Sequence, residues 1–189
     1  MAYTLDNFCS DTCQALKDNP GRAGRDKVRT LLERLLENKD FVAANCGPDA
    51  PEGIHTLYHD KETDFYVLAH IQTKSRKSPP HDHGTSWAVY GQAVGHTDMT
   101  MWDRLDDGKT PGHAEIREGR KFRLTPGKAG LFDVREIHQI EFTENARFVR
   151  ITGTDLATVP TYRYDEKAKT VSVADRSGQH AGAGAVGVR

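Results

Sequence analysis

The spacing of hydrophobic positions divides the chain into a helical beginning and a longer region of strands. Residues 4–17 carry apolar side chains near helical spacing, and the segment DNPGRAG then breaks the pattern. A second apolar stripe between charged faces predicts another helix from about Asp26 to just before the segment CGPDAPEG. The apolar residues of the two stripes are Leu5, Phe8, Cys9, Cys13 and Leu16, then Val28, Leu31, Leu32, Leu35 and Leu36.

Downstream of these helices the chain has the pattern of short strands joined by polar turns. The predicted strand segments are IHTLYHD, DFYVLAHIQ, SWAVYGQAVGHTDMTMWDR, EIREGRKFRL, AGLFDV, IHQIEF and RFVRITG. Because no helical pattern separates them, we expect a closed antiparallel structure and not a parallel sheet. The sequence therefore predicts a single, mainly β domain: a helical segment 1–48 packed on a barrel 49–174, followed by a flexible, Gly- and Ala-rich tail 175–189.

Composition and charge limit the classes of binding partner and of cysteine chemistry that the chain can have. The 189 residues carry a net charge of -1, so no electrostatic footprint for nucleic acid or an anionic membrane is visible. No apolar run is long enough for a bilayer and no leader is evident, so we expect a cytoplasmic protein. Three cysteines argue against a disulfide framework. Cys9 and Cys13, one helical turn apart, fit a buried helix stripe better than a zinc or redox pair.

The segment His81-Asp82-His83 is the most informative in the chain. On a strand, the two histidines point to one face and reach one metal ion, while Asp82 points the other way and can anchor a neighbouring strand. His83 is followed by four residues, then Ala88, then six residues and Gly95. Two surface histidines on a strand are the plain alternative, and the wider spacing favours the metal site.

A later segment, FRLTPGKAGLFDVREIHQIEF, predicts two strands around a Pro-Gly turn and supplies His138. Together the two segments resemble the conserved motifs of the cupins, with Ala88 where many cupins place a glutamate ligand. The resemblance implies a cupin fold, a double-stranded β-helix of jelly-roll type with N-terminal helices. It also implies a metal held by His81, His83 and His138.

More narrowly, the chain resembles the cysteine dioxygenase or thiol dioxygenase branch of the cupins, which begins with helices and holds Fe(II) with three histidines. This implies an Fe(II) enzyme that uses O2 to oxidise a small-molecule thiol, a mercapto acid or an aminothiol, to a sulfinate. Ala88 falls where animal members carry a cysteine crosslinked to tyrosine, and bacterial relatives often have glycine there.

Two features of that branch are missing from the sequence. The segment RFVRITGTDL stands where the resemblance leads us to expect a Ser-His-Tyr run, and no arginine precedes the HDH segment to bind a substrate carboxylate. Arg150 can replace that arginine if it points inward. An outward, solvated position is more common for such an arginine and is favoured, although Arg150 stays a candidate for the substrate pocket together with His70, Gln72 and Ala88.

Three neutral imidazoles leave one face of a metal open and favour an anionic donor such as a thiolate. Zn, Mn or Ni are alternatives to iron, and a non-oxygenase metal-binding cupin, acting as isomerase, hydrolase or small-molecule sensor, is the alternative function. His70 and Gln72 share one face of the preceding strand, which the resemblance places in the substrate pocket; a satisfied interior or outward-facing histidine is the other interpretation of His70. A homodimer paired through edge strands is the default expectation.

Overall fold

The computed structural model describes residues 2–174, so the predicted tail 175–189 lies outside the described residues. Helices precede strands along the chain, as the hydrophobic pattern predicts. The elements are α1 (Leu5–Asp18), α2 (Arg22–Leu36), α3 (Lys39–Cys46), β1 (Gly53–His59), β2 (Tyr66–Ile71), β3 (Arg76–Lys77), β4 (Ala88–Val94), β5 (Thr97–Arg104), β6 (Ile116–Leu124), β7 (Ala129–Phe132), β8 (Ile137–Phe142), β9 (Arg147–Thr152), β10 (Tyr162–Asp165) and β11 (Thr170–Val173).

The helical region differs from the prediction in one respect: the second helix is two helices. α2 begins at Arg22, before the predicted Asp26, and ends at Leu36. The side-chain oxygen of Asn38 accepts hydrogen bonds from the backbone N–H groups of Asp40 and Phe41. This N-cap favours a new start over continuation of α2, because it satisfies donors that have no partner within α3.

The strands form two antiparallel sheets, which confirms the predicted mainly β fold class. One sheet has five strands in the order β1-β2-β9-β4-β7, and the other has four in the order β3-β8-β5-β6. The strands β10 and β11 pair with each other as a separate hairpin. Among residues 2–174, no helix is long and apolar enough to span a membrane.

The helices cover the outer face of the five-stranded sheet, and the inner face meets the second sheet. Along β4, Val89 packs with the helices while Ala88 and Tyr90 point to the interior. Gly91 lets α2 approach closely, since a Cβ there would lie 2.7 Å from Cδ2 of Leu32. The interior cluster between the sheets consists of Ala88, Tyr90, Met99, Leu124, Phe132, Ile140, Phe142, Ala146 and Phe148.

Candidate metal centre

The three predicted histidines come together at one point in the interior. His81, His83 and His138 each offer a ligand atom, and these atoms lie within 4.8 Å of one another. Ring centroids of His138 lie 4.4 Å from those of His81 and 4.7 Å from those of His83. His83 and His138 are buried and His81 is partly buried. Among the described residues, the cluster holds no carboxylate or thiol.

His81 lies between two strands, β8 and β10, but does not belong to a regular strand itself. It forms isolated β-bridges with His138 of β8 and with Arg163 of β10. The prediction that both histidines of the HDH segment lie on a regular strand is therefore wrong, because the strand pairing stops at the bridge and His83 lies beyond it. The side chains of His81 and His83 nevertheless point to the same side, as in a strand, since both imidazoles reach the cluster.

Asp82 points away from the cluster and fixes the segment to β10, as the alternation predicts. Its carboxylate accepts hydrogen bonds from the backbone N–H of Tyr162 at 3.0 Å and from the hydroxyl of Tyr164 at 2.8 Å. Burial and the nearby Asp82 raise the pKa of Tyr164, so the phenol stays protonated and donates. Both contacts hold the backbone between the two histidines in place.

Gly84 allows the chain to turn immediately after His83. Its φ of 60° lies in the left-handed region, and an added Cβ would overlap the carbonyl oxygen of Pro160. The backbone N–H of Gly84 donates to Asp82 at 2.9 Å. The glycine that follows the HDH segment is thus required by the backbone, because a Cβ there would force this turn and the segment at Pro160 apart.

Hydrogen bonds orient two of the imidazoles for metal binding. Nδ1 of His81 lies 3.0 Å from the carbonyl oxygen of Pro79, and Nδ1 of His138 lies 3.1 Å from that of Glu136. A carbonyl oxygen only accepts, so each Nδ1 carries the proton and Nε2 keeps its lone pair. Such backbone partners are typical of metal-ligating histidines. The donor set therefore fits a transition metal that prefers imidazole, such as Fe, Zn or Ni.

A cavity of about 130 Å³ opens beside the cluster. His81 and Tyr90 form one part of its wall, and His70, Gln72 and Arg150 form another. An engineered protein cavity of about 150 Å³ holds benzene, so this one suits a ligand of about six non-hydrogen atoms. Ala88 is fully buried in the interior cluster, on the same face of β4 as Tyr90.

The expected outward position of Arg150 is wrong. The residue is 8% exposed, contributes to the cavity wall, and lies opposite Tyr90 on β4 and Leu68 on β2. Its neighbours Val149 and Ile151 pack towards the helices instead. Both faces of β9 are thus buried, so the usual rule that the polar face of a strand meets solvent does not apply here.

His70 and Arg150 each keep a buried polar atom without a hydrogen bond inside the described part of the chain: Nε2 of His70 and Nε of Arg150. The ring of His70 stacks on Phe148 with centroids 4.6 Å apart. Burial, and then the positive charge of Arg150, hold the pKa of His70 well below its usual range, so the imidazole is neutral. Unpaired buried groups at a cavity wall are satisfied when a polar ligand binds.

The cavity is positively charged. Exposed Arg76 and Arg163 join Arg150 in its wall, and no Asp or Glu side chain among the described residues does. The two exposed arginines and the hydroxyl of Tyr90 were missed from the sequence. Arg163 lies opposite His81, so only the pairing of β10 with the HDH segment brings it to the site.

No protein-family model matches the sequence, and no curated protein matches it. Solved structures that are similar to the chain include KdgF from Halomonas sp., with 16% identity and a TM-score of 0.40 over 52% of this chain and 74% of that one. The cupin domain of Schizosaccharomyces pombe Cnp3 shows 11% identity and a TM-score of 0.42 over 57% and 66% of the two chains.

A cupin superfamily protein from Desulfitobacterium hafniense shows 15% identity and a TM-score of 0.39, over 57% of this chain and 84% of that one. Likenesses this distant say nothing about substrate or metal. The chemistry of the site is therefore argued from the histidine cluster and the cavity of this chain.

Proposed function

We propose that this protein is a metal-dependent enzyme of the cupin type, an Fe(II) dioxygenase that oxidises a small thiol to a sulfinate. The observation that carries the proposal is the cluster of His81, His83 and His138, which holds no carboxylate of the described residues and whose His81 lines a small cationic cavity. Three neutral ligands leave the metal charge uncompensated, which favours an anionic thiolate as the substrate donor.

The charges of the cavity favour a mercapto acid over an aminothiol. A carboxylate fits the guanidinium of Arg150, which binds such groups through two parallel hydrogen bonds. The neutral His70 adds a hydrogen-bonding nitrogen beside it. An ammonium group would instead meet Arg76, Arg150 and Arg163, and no acidic side chain of residues 2–174 lines the cavity to offset their charge. We therefore propose a substrate with a thiol at one end and a carboxylate at the other.

The reaction needs no further reductant. A thiol R–SH and O2 give R–SO2H, so both oxygen atoms end on sulfur and the electrons that reduce O2 come from sulfur. Bound Fe(II) would supply the redox chemistry and bring thiolate and O2 side by side. The chain orients the substrate through Arg150 and His70 and keeps water out with the aromatic side chains of the interior cluster. The carbonyl groups of Pro79 and Glu136 orient the imidazoles of His81 and His138, and Asp82 holds the backbone beside His83.

The test is oxygen consumption by protein loaded separately with Fe(II) and with Zn(II), measured with an oxygen electrode over matched mercapto acids and aminothiols. We expect uptake with Fe(II) alone, one O2 per thiol, a sulfinate product by mass spectrometry, and faster turnover of the acids. The His138→Ala protein is the matched control and should show no uptake. Absence of uptake above the metal-free protein across the panel would favour the non-oxygenase cupin: isomerase, hydrolase or sensor.

A further inference from the structure

The hydroxyl of Tyr90 lies at the histidine cluster. Its oxygen is 3.2 Å from Nε2 of His83, and the side chain is 4% exposed. Within residues 2–174, this is the hydrogen bond that the structure gives the hydroxyl. The ring packs edge-on against Phe132 with centroids 5.4 Å apart and lies 5.8 Å from the ring of Phe148. The position of the hydroxyl is therefore set by packing on both sides.

A metal competes with this hydrogen bond. Nε2 of His83 cannot both share a hydrogen bond with the hydroxyl of Tyr90 and coordinate a metal, whichever of the two groups carries the shared proton. When the imidazole turns that nitrogen to a metal, the hydroxyl loses its partner inside a buried site, which is unfavourable unless an acceptor takes its place. Tyr90 also forms part of the cavity wall, with the guanidinium carbon of Arg150 6.0 Å from its ring centroid. An anion bound in the cavity would therefore lie near the released hydroxyl.

We propose that Tyr90 is a catalytic residue, whose hydroxyl leaves His83 when the metal binds and donates a hydrogen bond to the anionic ligand on the open face of the metal. The inference rests on the metal site proposed above, with His83 binding through Nε2. In this role Tyr90 acts as a hydrogen-bond donor, and the negative charge at the site comes from the substrate. It does not coordinate the metal.

Two measurements on cobalt(II)-loaded protein test this role without turnover. The first is cobalt affinity, by competition with a chelator; the second is azide affinity, from the visible absorption of the bound cobalt. In Tyr90→Phe we expect cobalt to bind as tightly as in the wild type or about 2- to 10-fold more tightly, because the competing hydrogen bond is gone. Azide should bind about 10-fold more weakly or worse, because a hydrogen bond to a charged ligand is lost.

Tyr58→Phe removes a hydroxyl from an exposed tyrosine of β1 and is the matched control; both affinities should equal those of the wild type. Weaker cobalt binding in Tyr90→Phe would make Tyr90 a ligand and overturn the proposal. Unchanged azide affinity would reduce its role to ring packing and overturn it as well. A wild-type protein that binds no cobalt would remove the metal site itself, a result distinct from both.

Discussion

His81 and His138 bond to each other twice through their backbones. The N–H of His81 donates to the carbonyl of His138 at 2.8 Å, and the N–H of His138 donates back at 2.9 Å. In an antiparallel arrangement such a pair places the two side chains on one face, and the imidazole centroids lie 4.4 Å apart. The proposed ligands from two distant parts of the sequence are therefore aligned by the main chain and not by the imidazoles.

Removing an imidazole should therefore abolish metal binding without unfolding the protein. In His138→Ala the backbone bridge to His81 remains, while the metal loses one of three ligands. We expect the affinity to fall by more than the roughly 10- to 100-fold that a change around the ligands typically causes. Metal content after dialysis checks this, with His113→Ala, outside the cluster, as control. Full metal content in His138→Ala would contradict the assignment.

Most strands of the two sheets could be predicted from the sequence because they alternate or carry long apolar runs between clear turn signals. β8 is an example: IHQIEF reads as a strand, and the structure has Ile137–Phe142. The two-residue β3 lies outside the predicted segments. The three histidines could be found because their spacing resembles two known motifs. The bridge between His81 and His138 then places them together, as the resemblance implies.

The cavity could not be predicted in the same way, because it depends on which face of each strand points inward. The charge of Arg150 favoured a position facing solvent. Both faces of its strand are buried, however, and Arg150 lines the cavity. The ring of Tyr90 packs in the interior cluster, which is the common role of an aromatic residue on a strand. The position of its hydroxyl beside His83 follows from the turn at Gly84, which the strand pattern does not describe.

Arg150 should determine selection for the carboxylate. Arg150→Lys keeps the positive charge but loses the planar, two-pronged geometry, and Arg150→Gln loses both. We expect the KM for a mercapto acid to rise by about 10- to 100-fold in Arg150→Gln, since a hydrogen bond to a charged group typically contributes about 1.5–3 kcal/mol. The KM for an aminothiol should fall or stay the same. Steady-state oxygen uptake checks this, with exposed Arg117→Gln of β6 as the control. Equal effects on both substrate classes would contradict the role.

The buried His70 should make the folded protein sensitive to mild acid. Its folded pKa is lowered well below the ordinary 6.5, mainly by burial, so below about pH 6.5 the unfolded chain takes up a proton that the folded chain refuses. The titration of His70 should therefore leave the free energy of unfolding unchanged above about pH 6.5. It should fall below that pH by up to about 1.4 kcal/mol per pH unit.

His70→Gln removes this titration. Urea unfolding of the metal-free protein at pH 7 and pH 5 should show a smaller acid loss in the variant than in the wild type, by up to about 2 kcal/mol. The quantity to compare is the change in the free energy of unfolding between the two pH values in each protein. The free energy at pH 7 alone does not test the prediction, because the substitution also changes packing against Phe148. An identical difference between the two pH values in both proteins would show that His70 does not resist protonation in the fold.

Ala88 tests the role of charge at the proposed metal. Its side chain lies on the inner face of β4 opposite Phe132, whose ring centroid is 4.2 Å from that of His138, so a glutamate here would point towards the histidine cluster. A carboxylate there would supply an anionic ligand and oppose a thiolate, with about 4 kcal/mol of repulsion between unit charges about 4 Å apart at an effective dielectric constant of about 20. We expect Ala88→Glu to bind metal at least as tightly as the wild type and to lose thiol-dependent oxygen uptake.

The control is Ala88→Gln, which has the same volume without the charge, so both variants should lose a similar stability of about 1–3 kcal/mol from overpacking. The glutamine variant should keep more activity than the glutamate one. Full activity in a folded, metal-loaded Ala88→Glu protein would mean that this position does not face the metal and that the likeness to the thiol dioxygenases does not extend to the site.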